Sequence, residues 1–188
     1  RCIFVKNIAG MKVDLIDIRA VNELTDNVKS LYLTAFPPEE RRPWDNIESM
    51  LDDGSQPYKI YVINCNSVFA GFISFWQFEE FVYVEHFAIE PTYRGHGVGA
   101  EVIKLFVALD SRPIVLEVEP MSSSEMAMRR INFYLRCGFD AHYDYSYEQP
   151  PYAPELPSVP LMLMTYGNKN LNLDKTTAQI HRYVYKKE

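Results

Sequence analysis

The chain lacks the cysteine pattern of a cross-linked or zinc-bound protein. Its three cysteines, Cys2, Cys65 and Cys137, are scattered, odd in number and form no C-x-x-C pair. That argues against a disulfide framework and a cysteine zinc site, and it suits reduced thiols in the cytoplasm. No apolar run approaches the ~20 residues that span a bilayer, and no signal peptide is evident. The expected location is therefore cytoplasmic, with no membrane partner. Positive charge is in deficit: 19 Lys and Arg against 25 Asp and Glu give a net charge of −6. A broad nucleic-acid surface is not expected on that balance. His86 and His96 are not joined by a matching cysteine or carboxylate pattern, so no metal is expected. Glycine is sparse too, with 8 in 188 residues, yet Gly95, Gly97 and Gly99 stand at alternate positions in one short stretch.

That stretch organises the chain. Before it, Phe81–Ile89 is rich in aromatic and β-branched residues, a composition that suits a half-buried strand. Pro91 stops the strand, and Arg94 precedes the glycines. After them Val98, Val102, Leu105 and Leu109 repeat at helical spacing, with Phe106 widening the apolar face. The order strand, turn, Gly-rich loop, helix has a physical use. A first helical turn leaves amides unpaired and carries partial positive charge; glycines let an anion approach, and Arg94 adds a forked donor. The loop reads as a phosphate cradle; the plainer alternative is a glycine-rich turn joining strand to helix. A dinucleotide fingerprint would place its third glycine one residue later, and a P-loop would need Lys-Ser or Lys-Thr where Ala100-Glu101 stands.

The string Arg94-Gly-His-Gly-Val-Gly99 instead resembles the R/Q-x-x-G-x-G/A signature of the GNAT superfamily of acyl-CoA-dependent N-acyltransferases. A second string, Phe133-Tyr134-Leu-Arg-Cys-Gly-Phe139, resembles that family's F/L-Y-x-x-x-G-F segment, in the right order along the chain. Ala127 stands where the family often has an asparagine, and Arg130 replaces a usual alanine. The resemblance covers roughly residues 12–166. It implies an acetyl-CoA co-substrate, with Arg94, Gly95, His96, Gly97, Val98, Gly99 and Ala100 around its pyrophosphate. It also implies that the backbone of Phe87, Ala88 and Ile89, on a splayed central strand, holds the pantetheine arm. Tyr134 would be the general acid beside the departing sulfur, although its apolar neighbours also suit a core aromatic.

An amine must be neutral to attack, so a base is needed. Glu85, in a hydrophobic strand where burial would raise its pKa, is the expected base. Glu117 and Glu119, on one face of the next strand by alternation, are its rivals, and His86 is a further alternative. Arg129 and Arg130 would meet the CoA 3′-phosphate or a carboxylate, or form a solvated face.

One domain is expected from the length, with 47% hydrophobic and 14% aromatic residues to build its core. Residues 1–10 read as an N-terminal extension with Met11 as a candidate start, 11–168 as the domain, and 169–188 as a helix packing on it or on a homodimer partner. Strands are expected at 11–19, 58–64, 68–78, 81–89, 114–118, 139–147 and 161–166. Helices are expected at 21–36, from Trp44 to Leu51, from Val98 to Leu109, from Ser124 to Cys137 and at 171–187. Pro37-Pro38 ends the first helix, and Glu39-Glu40-Arg41-Arg42 reads as an exposed connection. Gln149–Pro160 carries five prolines and reads as a rigid excursion. The expected fold is α/β of the α+β type: a mixed, mostly antiparallel sheet flanked by helices. The expected function is acetyl transfer to a primary amine of a small molecule or peptide by direct attack in a ternary complex. A non-catalytic acyl-CoA sensor is the alternative, and a nucleotide-dependent oxidoreductase fails on its fingerprint. Trp44, Tyr145, Tyr147 and Tyr152 with Glu39, Glu40 and Glu148 are expected to form an acceptor rim suited to a cationic amine.

Overall fold

The computed structural model describes residues 2–8, 11–167 and 170–187, with the backbone alone for 2–8. The sequence-based boundary at residues 168 and 169 lies outside the described residues, as do residues 1, 9, 10 and 188. Nine strands form the sheet: β1 (Cys2–Ile8), β2 (Met11–Asp17), β3 (Tyr58–Cys65), β4 (Val68–Gln77), β5 (Val82–Ile89), β6 (Ile114–Val118), β7 (Asp140–Ala141), β8 (Tyr147–Gln149) and β9 (Val159–Tyr166). Five helices cover it: α1 (Thr25–Ala35), α2 (Trp44–Asp52), α3 (Val98–Val107), α4 (Glu125–Arg136) and α5 (Leu173–Tyr183).

The order across the sheet is β1-β2-β3-β4-β5-β6-β9-β7, with β8 paired to β9. β1 to β5 pair antiparallel in chain order, with α1 and α2 between β2 and β3, whereas the α3 crossover brings β6 parallel to β5. The result is the mixed, mostly antiparallel sheet expected from the sequence.

Each helix follows from local chemistry. Val28, Leu31 and Tyr32 give α1 its buried stripe. Ser124 caps α4 by accepting the Ala127 amide at 3.0 Å, and Ala127, Ile131 and Tyr134 bury one face. Asn172 caps α5 through the Lys175 amide in the same way. One core cluster packs α3 and α4 against one face of the sheet, through Val102, Phe106, Ile131, Val84 and Leu116. The other packs α1, α2 and α5 against the opposite face, through Tyr32, Ile47, Ile180, Trp76 and Tyr83.

Several expectations are corrected. Residues 2–8, read as an extension, form a strand paired to β2. Val21–Leu24 lies in 3-10 turns before α1 rather than inside it. The Tyr-rich strand expected at 139–147 is only β7, a turn in which the Tyr145 amide donates to the His142 carbonyl, and β8. Its tyrosines are engaged elsewhere: the Tyr145 hydroxyl donates to Asp174 and Thr177 of α5, so aromatic content here reflects cross-element contacts rather than a ladder.

Two irregularities in β5 build the site. Its register against β4 runs Ser74 to His86, then Phe75 to Val84, so Glu85 is an extra residue, a β-bulge. Strict alternation would send Glu85 and His86 to opposite faces. The bulge turns both toward the α1–α2–α5 side, where Glu85 meets Trp76 and His86 packs on Tyr32 and Phe36. On its other edge β5 pairs with β6 only at Val82–Val84. Beyond Val84 the two parallel strands diverge, while β6 stays paired to β9 as far as Val118.

Candidate active site

The fork between β5 and β6 opens a cleft of about 1070 Å³. Ordinary small-molecule pockets run to roughly 300–1,000 Å³, so there is room for a large co-substrate and an acceptor. One wall is Phe87–Ile89 of β5, whose edge toward β6 carries no ladder partner among the described residues. The other wall is α4, where Phe133 faces Phe87 with ring centroids 6.5 Å apart.

The Gly-rich loop closes one end. Gly95 and Gly97 hold φ of 77° and 82°, in the left-handed region where a Cβ is strained. Gly97 is the cap of α3 with no side chain to cover it, and the first bond of the helix runs from the Glu101 amide to the Gly97 carbonyl at 3.1 Å. The amides of Val98, Gly99 and Ala100 are thus left over at a positive helix end. Arg94 Nε donates to the Ile89 carbonyl at 2.7 Å, which pins the loop to the end of β5. Arg94, Gly95, Gly97, Gly99 and Ala100 all line the cleft. His96 and Val98 do not: His96 is exposed, and the Val98 side chain is buried in the core. The basic residues of the lining, Arg94, Arg129, Arg130 and Arg136, belong to this loop and α4. Arg129 pairs with Glu125 along the helix surface, and Arg130 pairs with Glu119 at 2.8 Å.

The acidic lining residues come from the other elements: Glu40, Glu85, Glu117 and Glu119. Glu85 and Glu117 differ sharply. The Glu85 side chain is 0% exposed and ion-paired to Arg42, itself 5% exposed. It also accepts from Trp76 Nε1 at 2.9 Å and from the Tyr152 hydroxyl at 2.8 Å. Burial alone would push its pKa up, as the sequence suggested, but the Arg42 guanidinium outweighs burial and holds the carboxyl below its usual range. Glu117, as enclosed as Glu85, has no cationic partner among the described residues. Its oxygens accept from the hydroxyls of Tyr147 and, at 2.8 Å, Tyr185. Burial pushes its pKa up to about 7 despite those hydroxyls, with the charge of Glu85 adding to the effect.

His86 lies beside the acidic lining residues with Nε2 2.9 Å from the Glu40 carbonyl, and burial pushes its pKa down. Tyr134 is 6% exposed, faces the cleft, and its hydroxyl makes no hydrogen bond among the described residues. Burial raises its pKa well above that of an ordinary tyrosine, so it stays a proton donor. Cys137 lines the cleft nearby, half-buried and free.

The expected acceptor rim is largely redistributed. Trp44 is buried and donates to Glu48, Tyr145 reaches α5, and Tyr147 holds Glu117; of the named aromatics only Tyr152 lines the cleft. Glu148 accepts from Ser158 instead of facing a substrate. Arg42, read as part of an exposed run, is buried behind Glu85, and the contact of Tyr185 with Glu117 was not anticipated at all. Arg42 carries no local signal. Tyr185 extends the Ile180–Val184 apolar series of α5 by one position, which is the only hint in the sequence.

No described helix is long and apolar enough to cross a membrane, and no cluster of metal-binding side chains occurs among the described residues.

Comparison with known proteins fixes the family. A sequence model described as "Acetyltransferase (GNAT) domain" matches residues 56–141. A solved GNAT-family acetyltransferase structure from Bacteroides thetaiotaomicron is 34% identical, superposes with a TM-score of 0.83, and the match covers 94% of this chain and 99% of that one. The chain belongs to the GNAT family of acetyltransferases. Another GNAT structure, from Elizabethkingia anophelis with acetyl-CoA bound, shares the fold at 13% identity and TM-score 0.54, covering 82% of this chain and 97% of that one. The acetyltransferase YjbC of Bacillus subtilis is 28% identical over 102 residues, which are 54% of this chain and 50% of that protein. The chain thus matches about half the length of that curated relative. Within the GNAT frame, the family-model match spans the β5–α3 loop and α4 but stops before β8, β9 and α5.

Proposed function

We propose that this GNAT protein transfers an acetyl group from acetyl-CoA to a primary amine by direct attack within the forked cleft. The observation that carries the reading is the polarity of that cleft. A loop of positive-φ glycines, free helix amides and arginines closes one end, and unpaired strand edge, Tyr134 and a carboxylate with a raised pKa lie along the rest.

The cleft fits the co-substrate by its chemistry. Three open amides at the start of α3 with Arg94 beside them suit a pyrophosphate. The open edge of Phe87–Ile89 suits the amide-bearing pantetheine arm, laid along β5 as an extra strand would be. Acetyl-CoA, when bound, supplies an electrophilic thioester carbonyl.

The chain's own residues do the rest. Glu117 takes the proton of the acceptor ammonium, because a carboxyl with pKa of about 7 is ionised in about half of the molecules at neutral pH and is far more basic than an ordinary glutamate. Glu85, the expected base, instead serves the floor: its charge is spent on Arg42, and it raises the pKa of Glu117. Tyr134, with an uncommitted hydroxyl facing the cleft, gives a proton to the leaving thiolate. Glu40 and Glu119 at the acidic side favour a cationic acceptor over an anionic one. The test is acetyl-CoA-dependent thiol release with 1,4-diaminobutane, spermidine, kanamycin and a short peptide with a free N-terminus, with N-acetyl product identified by mass. Acetylation of at least one amine supports the proposal; acetyl-CoA binding without product from any of them makes the domain a sensor.

A further inference from the structure

The segment that follows α5 reaches two groups behind the cleft wall, Arg42 and the Glu117 carboxylate. Val184 is buried, and its carbonyl accepts from Arg42 Nη2 at 3.3 Å. Tyr185 is 8% exposed, and its hydroxyl sits among three partners. It donates to Glu117 Oε2 at 2.8 Å, and lies 3.1 Å from the Tyr83 hydroxyl and 3.5 Å from that of Tyr152. Tyr152 in turn donates to Glu85. Arg42, Glu85 and Tyr152 thus form one bonded group, and Tyr185 and Glu117 another, with the two tyrosine hydroxyls side by side, each donating to its own carboxylate. Of these residues Tyr152 and Tyr185 lie beyond residues 56–141, the part that matches the family model, whereas Glu85 and Glu117 lie within it and Arg42 before it.

We propose that Tyr185 is a positioning residue of the acyl-transfer centre: its hydroxyl, 3.1 Å from that of Tyr83, donates to the Glu117 carboxylate and orients it, which makes the segment after α5 part of the catalytic site. This rests on the reading of Glu117 as the base. The geometry leaves Tyr185 little other use for its hydroxyl. A core tyrosine needs one partner, whereas this one stands where two carboxylate systems meet, on opposite branches of the fork. Glu117 sits on β6 past its last residue paired to β5, where Tyr83 of β5 still reaches it. Tyr147 holds it from β8 and Tyr185 from the C-terminal segment. The groups that face Glu117 are Tyr83 and Glu85 from β5, Tyr147 from β8, Tyr152 from the proline-rich excursion and Tyr185. Arg42 stands behind Glu85, and His181 of α5 behind Tyr147 and Tyr185.

Losing a hydroxyl that donates to the carboxylate disfavours its charged form, so Glu117 should bind its proton more tightly without Tyr185. The test titrates wild type and Tyr185→Phe by 13C NMR with carboxyl-labelled glutamate. The Glu117 signal is identified by its absence in Glu117→Gln. The pH dependence of kcat/KM is measured alongside, with the best amine of the panel above. In Tyr185→Phe the Glu117 midpoint and the acid limb of kcat/KM should both move up by about one pH unit. Near neutral pH kcat should fall on the order of tenfold, with KM for acetyl-CoA and the melting temperature little changed. An unmoved midpoint and limb in a folded Tyr185→Phe protein that still turns over would overturn the inference and leave acyl transfer standing. Acetyl-CoA binding with no turnover of any amine by wild type would overturn acyl transfer, and this role with it.

Discussion

Arg42 and Glu85, 43 residues apart in sequence, form a buried ion pair with side chains 5% and 0% exposed. The pair joins the connection between α1 and α2 to the bulge of β5, and Arg42 also holds the Val184 carbonyl. Removing one member leaves an uncompensated buried charge, which typically destabilises by about 3–5 kcal/mol. Arg42→Met should therefore lower the urea midpoint strongly at neutral pH, despite its distance from the CoA loop. A midpoint within experimental error of wild type would show that the pair is not closed in solution.

The same pair sets an acid limit on stability. The Glu85 pKa is held below its unfolded value, so its contribution is present above the ordinary glutamate range and is lost as pH falls through the depressed folded value. Glu117 has the opposite sign. Its folded pKa, about 7, lies above the unfolded value, so the folded state takes up a proton in between and stability falls as pH rises through that window. Glu117→Gln should accordingly melt higher than wild type at about pH 8, and the difference should shrink toward pH 5. A difference that is constant across pH would mean the carboxyl titrates normally.

Activity should carry the mark of Glu117 as well. Because only the ionised carboxylate can take a proton, kcat/KM should fall about tenfold per pH unit below about 7. Glu117→Gln should lose most of kcat while binding acetyl-CoA normally. Glu85→Gln should lose stability more than it shifts the pH profile. The reverse pattern, with the acid limb abolished in Glu85→Gln and kept in Glu117→Gln, would return the base role to Glu85.

Tyr134 offers a clean separation of chemistry from folding. Its hydroxyl has no protein partner among the described residues, so Tyr134→Phe removes no internal hydrogen bond and should leave the melting temperature nearly unchanged. Loss of a general acid should still lower kcat by about 10²-fold or more. Full turnover in Tyr134→Phe would assign the proton to another donor.

What the sequence made legible was local. The glycine spacing around Arg94 and the apolar repeat after it specify a strand, a cradle and a helix within some thirty residues, and each has its structural counterpart in β5, the loop and α3. Ser124 as a cap and Gly-Phe after α4 are equally local signals. The polar floor was not legible in the same way. A single bulge put Glu85 and His86 on one face against simple alternation. The partners that set the two carboxylates lie 43 and 68 residues away along the chain, on segments with no periodic signature. Burial could be guessed for Glu85, but the sign of its pKa shift depends on Arg42, which sits in a charged run resembling any solvated turn. Tyrosines 145 and 147 look like strand residues by composition and are used as hydrogen-bond donors instead.

The central claim, that the α3 loop is the acetyl-CoA cradle, is tested most directly by calorimetric titration of acetyl-CoA into wild type and into the Arg94→Ala, Gly97→Ala double variant. The Gly97 substitution forces a side chain onto φ of 82° and costs on the order of 1 kcal/mol, so the variant should stay folded. The account predicts micromolar binding to wild type, lost or weakened at least tenfold in the variant, with NAD binding neither. Undiminished acetyl-CoA binding by the folded variant, or none by wild type, would contradict it.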